Sequence, residues 1–164
     1  MKNGISRRFF SLLGSTLLTM GALAQEKDSV KMLPPVTITP ASNVEQSVTK
    51  AFHDNFKNAT NAKWYDIDKN YLVKFINDDM QNNALFKKNG SMVYHISYGY
   101  EKNLEADVKE MVKYSYPNYE ITRAIKVRME NRDVWVLNLE GTKRLILVAV
   151  EEGQLSEIKN FAKS

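Results

Sequence analysis

The stretch from Asn61 to Asp79, NAKWYDIDKNYLVKFINDD, decides how this chain folds. Asp66, Asp68 and Asn70 fall on alternate positions, as the first ligands of a calcium loop do. Tyr71, Val73 and Phe75 also alternate, as one face of a strand does. A calcium loop would place Gly at its sixth position and Glu at its twelfth; here those positions hold Tyr71 and Asn77. Short Asp and Asn side chains bond their own backbone and favour turns. The stretch therefore reads as two strands joined by a turn at Asp68-Lys69-Asn70, with no metal site.

Working outward, the same pattern recurs. Upstream, residues 42–59 read as a helix with the apolar stripe Val44, Val48, Ala51, Phe52 and Phe56. Ser42 and Glu45 stand at the spacing of a capping box. Sixty residues later, Leu104, Val108, Met111, Val112 and Tyr116 form an equivalent stripe, and Pro117 ends that helix. Four alternating segments follow each helix. They are 62–67, 71–76, 82–88 and 92–98 after the first, and 121–129, 134–139, 144–150 and 154–159 after the second. Breaks such as Asn77-Asp78-Asp79, Asn89-Gly90, Asn131-Arg132-Asp133 and Glu151-Glu152-Gly153 have hairpin composition. The expectation is an α+β fold of tandem helix-plus-four-strand repeats, residues 42–100 and 101–164, with both helices on one face of a curved antiparallel sheet. Segments 134–139 and 145–150 are apolar at every position or nearly so, which points to the sheet centre. Arg123 interrupts the apolar run Ile121, Ile125, Val127 and Met129, as a residue paired to a buried carboxylate or lying on an edge strand would.

Phe52, Phe56, Trp64, Tyr71, Val73, Phe75 and the Asn89-Gly90 turn together resemble the PepSY-like, beta-lactamase-inhibitor-like secreted domains of Bacteroidetes. The resemblance spans residues 44–161. It implies a binding or inhibitory module, with a protein partner held on the sheet face opposite the helices. The second unit departs from the pattern, with Val134-Trp135-Val136-Leu137 where a Tyr-x-Val-x-Phe would stand.

Composition agrees with export. Lys2, Arg7 and Arg8 precede an apolar run from Phe9 to Leu23, and Ala22-Leu23-Ala24 has the small-x-small form of a signal-peptidase site. Residues 1–24 read as a cleaved signal. Ser6-Arg7-Arg8-Phe9-Phe10 resembles a twin-arginine start, but no cofactor motif follows that would require folded export, so the general secretory route is expected. The run is short for a bilayer span, and no stable membrane span is expected after cleavage. Residues 25–41 hold three of the four prolines and read as a flexible, extended linker. The chain has 23 Lys and Arg against 19 Asp and Glu, but three of those cations and no acid precede Gln25. The exported part is near neutral at 20 against 19, which gives no ground for nucleic-acid binding. Cysteine is absent, so neither disulfides nor thiol chemistry is available.

The sequence offers little for catalysis. His53 and His95 are its two histidines, neither in a metal-ligand spacing, and no nucleophile elbow or phosphate loop occurs. No enzymatic activity, cofactor or metal is expected. The richest candidate is the aromatic cluster YHISYGY, with Tyr94, His95, Tyr98 and Tyr100. With Tyr65 and Trp135 it would line an uncovered sheet face and bind an envelope protein or peptide. Alternatively Tyr94 and Tyr98 pack beneath the helices. Periodicity places Tyr94, Ile96 and Tyr98 on one side of the strand and His95 and Ser97 on the other, without saying which side is covered.

Overall fold

The computed structural model describes residues 38–163. The expected signal and most of the expected linker lie outside the described residues. Nine strands form one antiparallel sheet in sequence order. They are β1 (Ile38–Pro40), β2 (Thr60–Ile67), β3 (Asn70–Asn77), β4 (Met80–Lys87), β5 (Met92–Gly99), β6 (Glu120–Met129), β7 (Arg132–Glu140), β8 (Arg144–Glu151) and β9 (Gln154–Ala162). Helix α1 (Gln46–Asn55) joins β1 to β2, and helix α2 (Ala106–Ser115), preceded by a short 3-10 turn, joins β5 to β6.

The opening stretch is a hairpin. Asp68 and Lys69 both adopt positive φ, 43° and 66°, between the paired residues Ile67 and Asn70. That is the two-residue turn whose twist matches the flanking strands. Asn70 itself opens β3 and donates to the Asp68 carbonyl at 3.3 Å. Asp78-Asp79 and Glu152-Gly153 repeat the arrangement with positive φ at both positions. The turn expected at Asn131-Arg132-Asp133 falls one residue earlier, at Glu130-Asn131, so Arg132 and Asp133 belong to β7.

Both helices start and end alike. Glu45 and Glu105 precede the first turns in nearly the same extended geometry, φ −57° and ψ 142° against φ −61° and ψ 145°. Their charge sits where the helix dipole favours an anion. Neither start has a side-chain cap, so the capping box expected at Ser42 does not form, because α1 begins four residues beyond it. Phe56 and Tyr116 close the helices by donating their N–H to the carbonyls of Phe52 and Val112, at 2.9 and 2.8 Å.

The strand register shows which side of the sheet each residue occupies, since directly opposed residues share a face. Val73 opposes Trp64 and Ala84, Ala84 opposes His95, His95 opposes Arg128 and Arg128 opposes Asp133. Ala124, Leu137 and Val148 lie in line on the same side. Val48, Phe52 and Phe56 pack on the β3–β4 part of this face, with Val73, Phe75, Ala84 and Phe86. Val108 and Val112 pack on the β7–β8 part, with Leu137, Leu139, Val148 and Val150. Both helices thus cover one face of the sheet. Burying side chains of this kind contributes about 1.5–3 kcal/mol each.

Three further expectations need correction. The end of the presumed linker, Ile38–Pro40, pairs with Tyr65–Ile67 as an edge strand. Strands β7 and β8 are not central, since only β9 lies beyond them and the middle strand is β5. Arg123 is on neither an edge strand nor a buried ion pair. A register shift between Ile121 and Arg123 sends Ile121 into the core and leaves Arg123 exposed on the opposite side.

Candidate binding face

Three neighbouring rows of opposed residues cross the middle of the face that the helices leave bare. One runs Tyr65, Leu72, Leu85, Tyr94, Met129. The next runs Lys63, Lys74, Asn83, Ile96, Val127, Val134, Glu151 and ends at Gln154. The third runs Ile76, Gln81, Tyr98, Ile125, Val136, Ala149. Large apolar side chains are open to solvent here, among them Tyr98 at 36%, Met129 at 49% and Leu145 at 41%.

The face accounts for four of the six residues singled out from sequence. Tyr94 and Tyr98 project from β5 on this side, and burial together with the neighbouring Tyr98 raises the Tyr94 phenol above its ordinary value. Tyr100, just beyond β5, is half exposed, with the Arg123 guanidinium 5.3 Å from its ring centre. Tyr65 lies across β3 and β4 from Tyr94, about three strand spacings or ~14 Å away. The ammonium of Lys74 sits 5.5 Å from its ring centre.

His95 and Trp135 do not join this surface. Trp135 is 5% exposed within the α2 core and donates its indole N–H to Glu105 at 3.1 Å. His95 lies beneath α1, its ring centre 4.7 Å from that of Phe56 and stacked on Phe75. Its Nε2 is 2.9 Å from Asn82 Oδ1, and the Ser97 hydroxyl donates to the same oxygen at 2.7 Å. Burial first, and then the Arg128 charge, lowers the His95 pKa to about 4. Ser97 also lies 3.1 Å from Nε2, but it gives its proton to the Asn82 oxygen and is only 4% exposed. The trio satisfies buried polar groups and presents no activated nucleophile.

Sequence reasoning missed most of the second half of the bare face. Val134 and Val136 belong to a segment whose apolarity on both sides pointed to the sheet centre, and with Ile125 and Val127 they lie half-buried on this face. That two-sided apolarity was itself the available sign of an exposed greasy surface. A groove of about 400 Å³ opens at its far end among Asn138, Leu145, Leu147 and Phe161.

No protein-family model matches the chain, and neither does any curated protein. Solved structures do match. A BLIP-like protein from Bacteroides fragilis NCTC 9343 superposes with a TM-score of 0.56 at 18% identity, over 74% of this chain and 88% of its own. A DUF2874 family protein from Bacteroides ovatus ATCC 8483 gives 0.54 at 16% identity, over 74% and 89%. A candidate periplasmic protein from Bacteroides eggerthii DSM 20697 gives 0.51 at 11% identity, over 73% and 89%. The chain shares their fold. The first of these proteins is BLIP-like by its own name, the kind of domain that the sequence resembles. At these identities the likeness concerns the backbone plan alone. No helix among the described residues is long and apolar enough to cross a membrane.

Proposed function

We propose that this protein is an exported, non-catalytic binding module that engages an envelope protein or peptide through the bare sheet face. The observation that carries the reading is the continuous aromatic and apolar surface around Tyr94, Tyr98 and Tyr100, exposed on the side away from both helices. Tyrosine suits such a role, offering contact area at low entropic cost and a polar tip. Action is steric: a rigid sheet presses against a partner and occludes its working surface, which makes inhibition the natural consequence. A structural or adhesive envelope component would be served by a polar face, and the exposed tyrosines favour the first reading.

The architecture behind this reading is a duplication, residues 42–100 and 101–164. It is supported by the matching helix geometry at an offset of 60 and by four strands after each helix. Export rests on residues 1–24 acting as a cleaved signal. Amino-terminal sequencing of the exported protein is expected to begin at Gln25.

Replacing Tyr94, Tyr98 and Tyr100 together by alanine tests the function. The variant is expected to keep its cooperative unfolding transition and to lose the partner that the unaltered protein retains from an envelope extract. Retention of the same partner by the folded variant would refute the reading.

A further inference from the structure

The bare face is not chemically uniform. Beside the apolar second half, its first half carries a groove of about 590 Å³ lined by Lys63, Tyr65, Lys74, Gln81 and Asn83. Lys63 and Lys74 are directly opposed in the β2–β3 ladder, and both are exposed. Like charges in that position repel. Neither lysine is within 4 Å of a carboxylate among the described residues, whereas Lys126, Arg128 and Arg132 each sit against one. The repulsion is not offset locally either. On this side β2, β3 and β4 present Lys63, Lys74 and Lys87 and no Asp or Glu, Asp66 pointing to the helix side opposite Tyr71. Lys74 is held over the Tyr65 ring, and the Gln81 and Asn83 amides bring further N–H donors to the same hollow. A nearly neutral protein thus concentrates uncompensated positive charge at one end of its proposed binding surface.

We infer that the Lys63–Lys74 groove receives a carboxylate side chain from an acidic segment of a polypeptide partner. A single anion placed between the two ammonium groups converts their repulsion into two attractions. Apolar residues of the same segment fit the flanking rows, Tyr65 on one side and Ile76 with Tyr98 on the other. An extended polyanion is a poorer match, because the lysine row turns apolar at Ile96 and reaches Glu151 and Gln154 with no further cation. This inference rests on the reading of the bare face as a binding surface, and it names the chemistry which that surface selects.

The test uses the 15N-labelled exported protein and the blocked pentapeptide Leu-Glu-Leu-Glu-Leu, with its glutamine counterpart, inorganic phosphate and phosphatidylglycerol vesicles as controls. The acidic peptide is expected to shift the backbone amides of Lys63, Lys74 and Asn83 and to bind at least tenfold tighter than the glutamine peptide. The double variant K63Q/K74Q should lose that tenfold, while its thermal midpoint rises because the like-charge pair is gone. Raising salt to 0.5 M should weaken the peptide complex. Equal affinity for the two peptides, no binding of the acidic one, unchanged affinity in K63Q/K74Q, or tighter binding of phosphate or vesicles would each overturn the inference. An envelope partner kept by K63Q/K74Q but lost by the triple tyrosine variant would remove the acidic preference and leave the proposed function standing. A partner kept by both variants would remove both.

Discussion

Each half of the sheet sets one helix before four strands, and the two halves carry different chemistry. Val48 and Phe52 in the first helix correspond to Val108 and Val112 in the second, and all four are buried. Yet the first core is aromatic, with Phe52 edge-on to Phe75 at 5.0 Å and to Trp64 at 5.2 Å, while the second is mostly branched aliphatic. The helix-start carboxylates differ too. Glu45 stands 3.5 Å from Lys88 and beside Tyr71, whose phenol it lifts to about 12. Glu105 instead clamps Lys126 at 2.6 Å and receives the Trp135 indole N–H. On the bare side the first half is basic and the second greasy. Helix spacing and turn chemistry fix the scaffold, and the side chains on each face are then free to differ.

The contrast can be tested from its largest expected effect downwards. Phe52→Ala should cost about 3–5 kcal/mol in urea unfolding, since several rings surround it and cannot collapse into the space. Leu137→Ala, in the aliphatic core and equally buried, should cost about 2–5 kcal/mol. A markedly smaller loss at either site would show that its half packs loosely.

Next comes acidity, where the first half carries a histidine with a lowered pKa, whereas the second half responds through the depressed carboxyls of Glu105, Asp133 and Glu151. His95 has a folded pKa of about 4 against an ordinary 6.5. Above pH 6.5 the ring is neutral folded or unfolded, and stability is flat. Between 6.5 and about 4 the unfolded chain takes a proton that the fold refuses, so stability falls as pH drops and levels off below. The group is only partly buried, and the total should be about 1–3 kcal/mol. In His95→Gln this slope should vanish from a pH series of unfolding curves.

Glu105→Ala should destabilise by about 1–2 kcal/mol, leaving the buried Trp135 N–H without its acceptor. Glu45→Ala should cost less, because the Tyr71 hydroxyl beside it makes no contact as close as the Trp135 N–H makes to Glu105. Differential scanning calorimetry of both variants measures the difference. Smallest of all, Lys74→Gln should gain about 0.2–1 kcal/mol by relieving the Lys63 repulsion, whereas Lys159→Gln in the second half should change nothing measurable.

Much of this scaffold was legible in the sequence, and the reasons are local. Asp68-Lys69, Asp78-Asp79 and Glu152-Gly153 declare their turns through residues that tolerate positive φ. The stripes of Val48, Phe52 and Phe56 and of Val108 and Val112 declare the helices. What stayed hidden depends on contacts distant along the chain. Alternation sorts Tyr94 and Tyr98 from His95 and Ser97, but only packed coordinates say which pair the helices cover. Trp135, between Val134 and Val136, carries no alternation at all, so its burial under α2 could not be read. Ile38–Pro40 is too short and too rich in proline to announce a strand, and it forms one only because β2 offers an open edge.

The strictly sequential strand order carries a kinetic consequence. Every strand pairs with its neighbour along the chain, so no contact in the sheet must await a distant segment, and loop-closure entropy stays small at each step. The two widest gaps, β1 to β2 and β5 to β6, each enclose a helix that shortens the span. A chain emerging amino terminus first could therefore zip up hairpin by hairpin as it appears. Its first aromatic core would be assembled before the last strands had emerged.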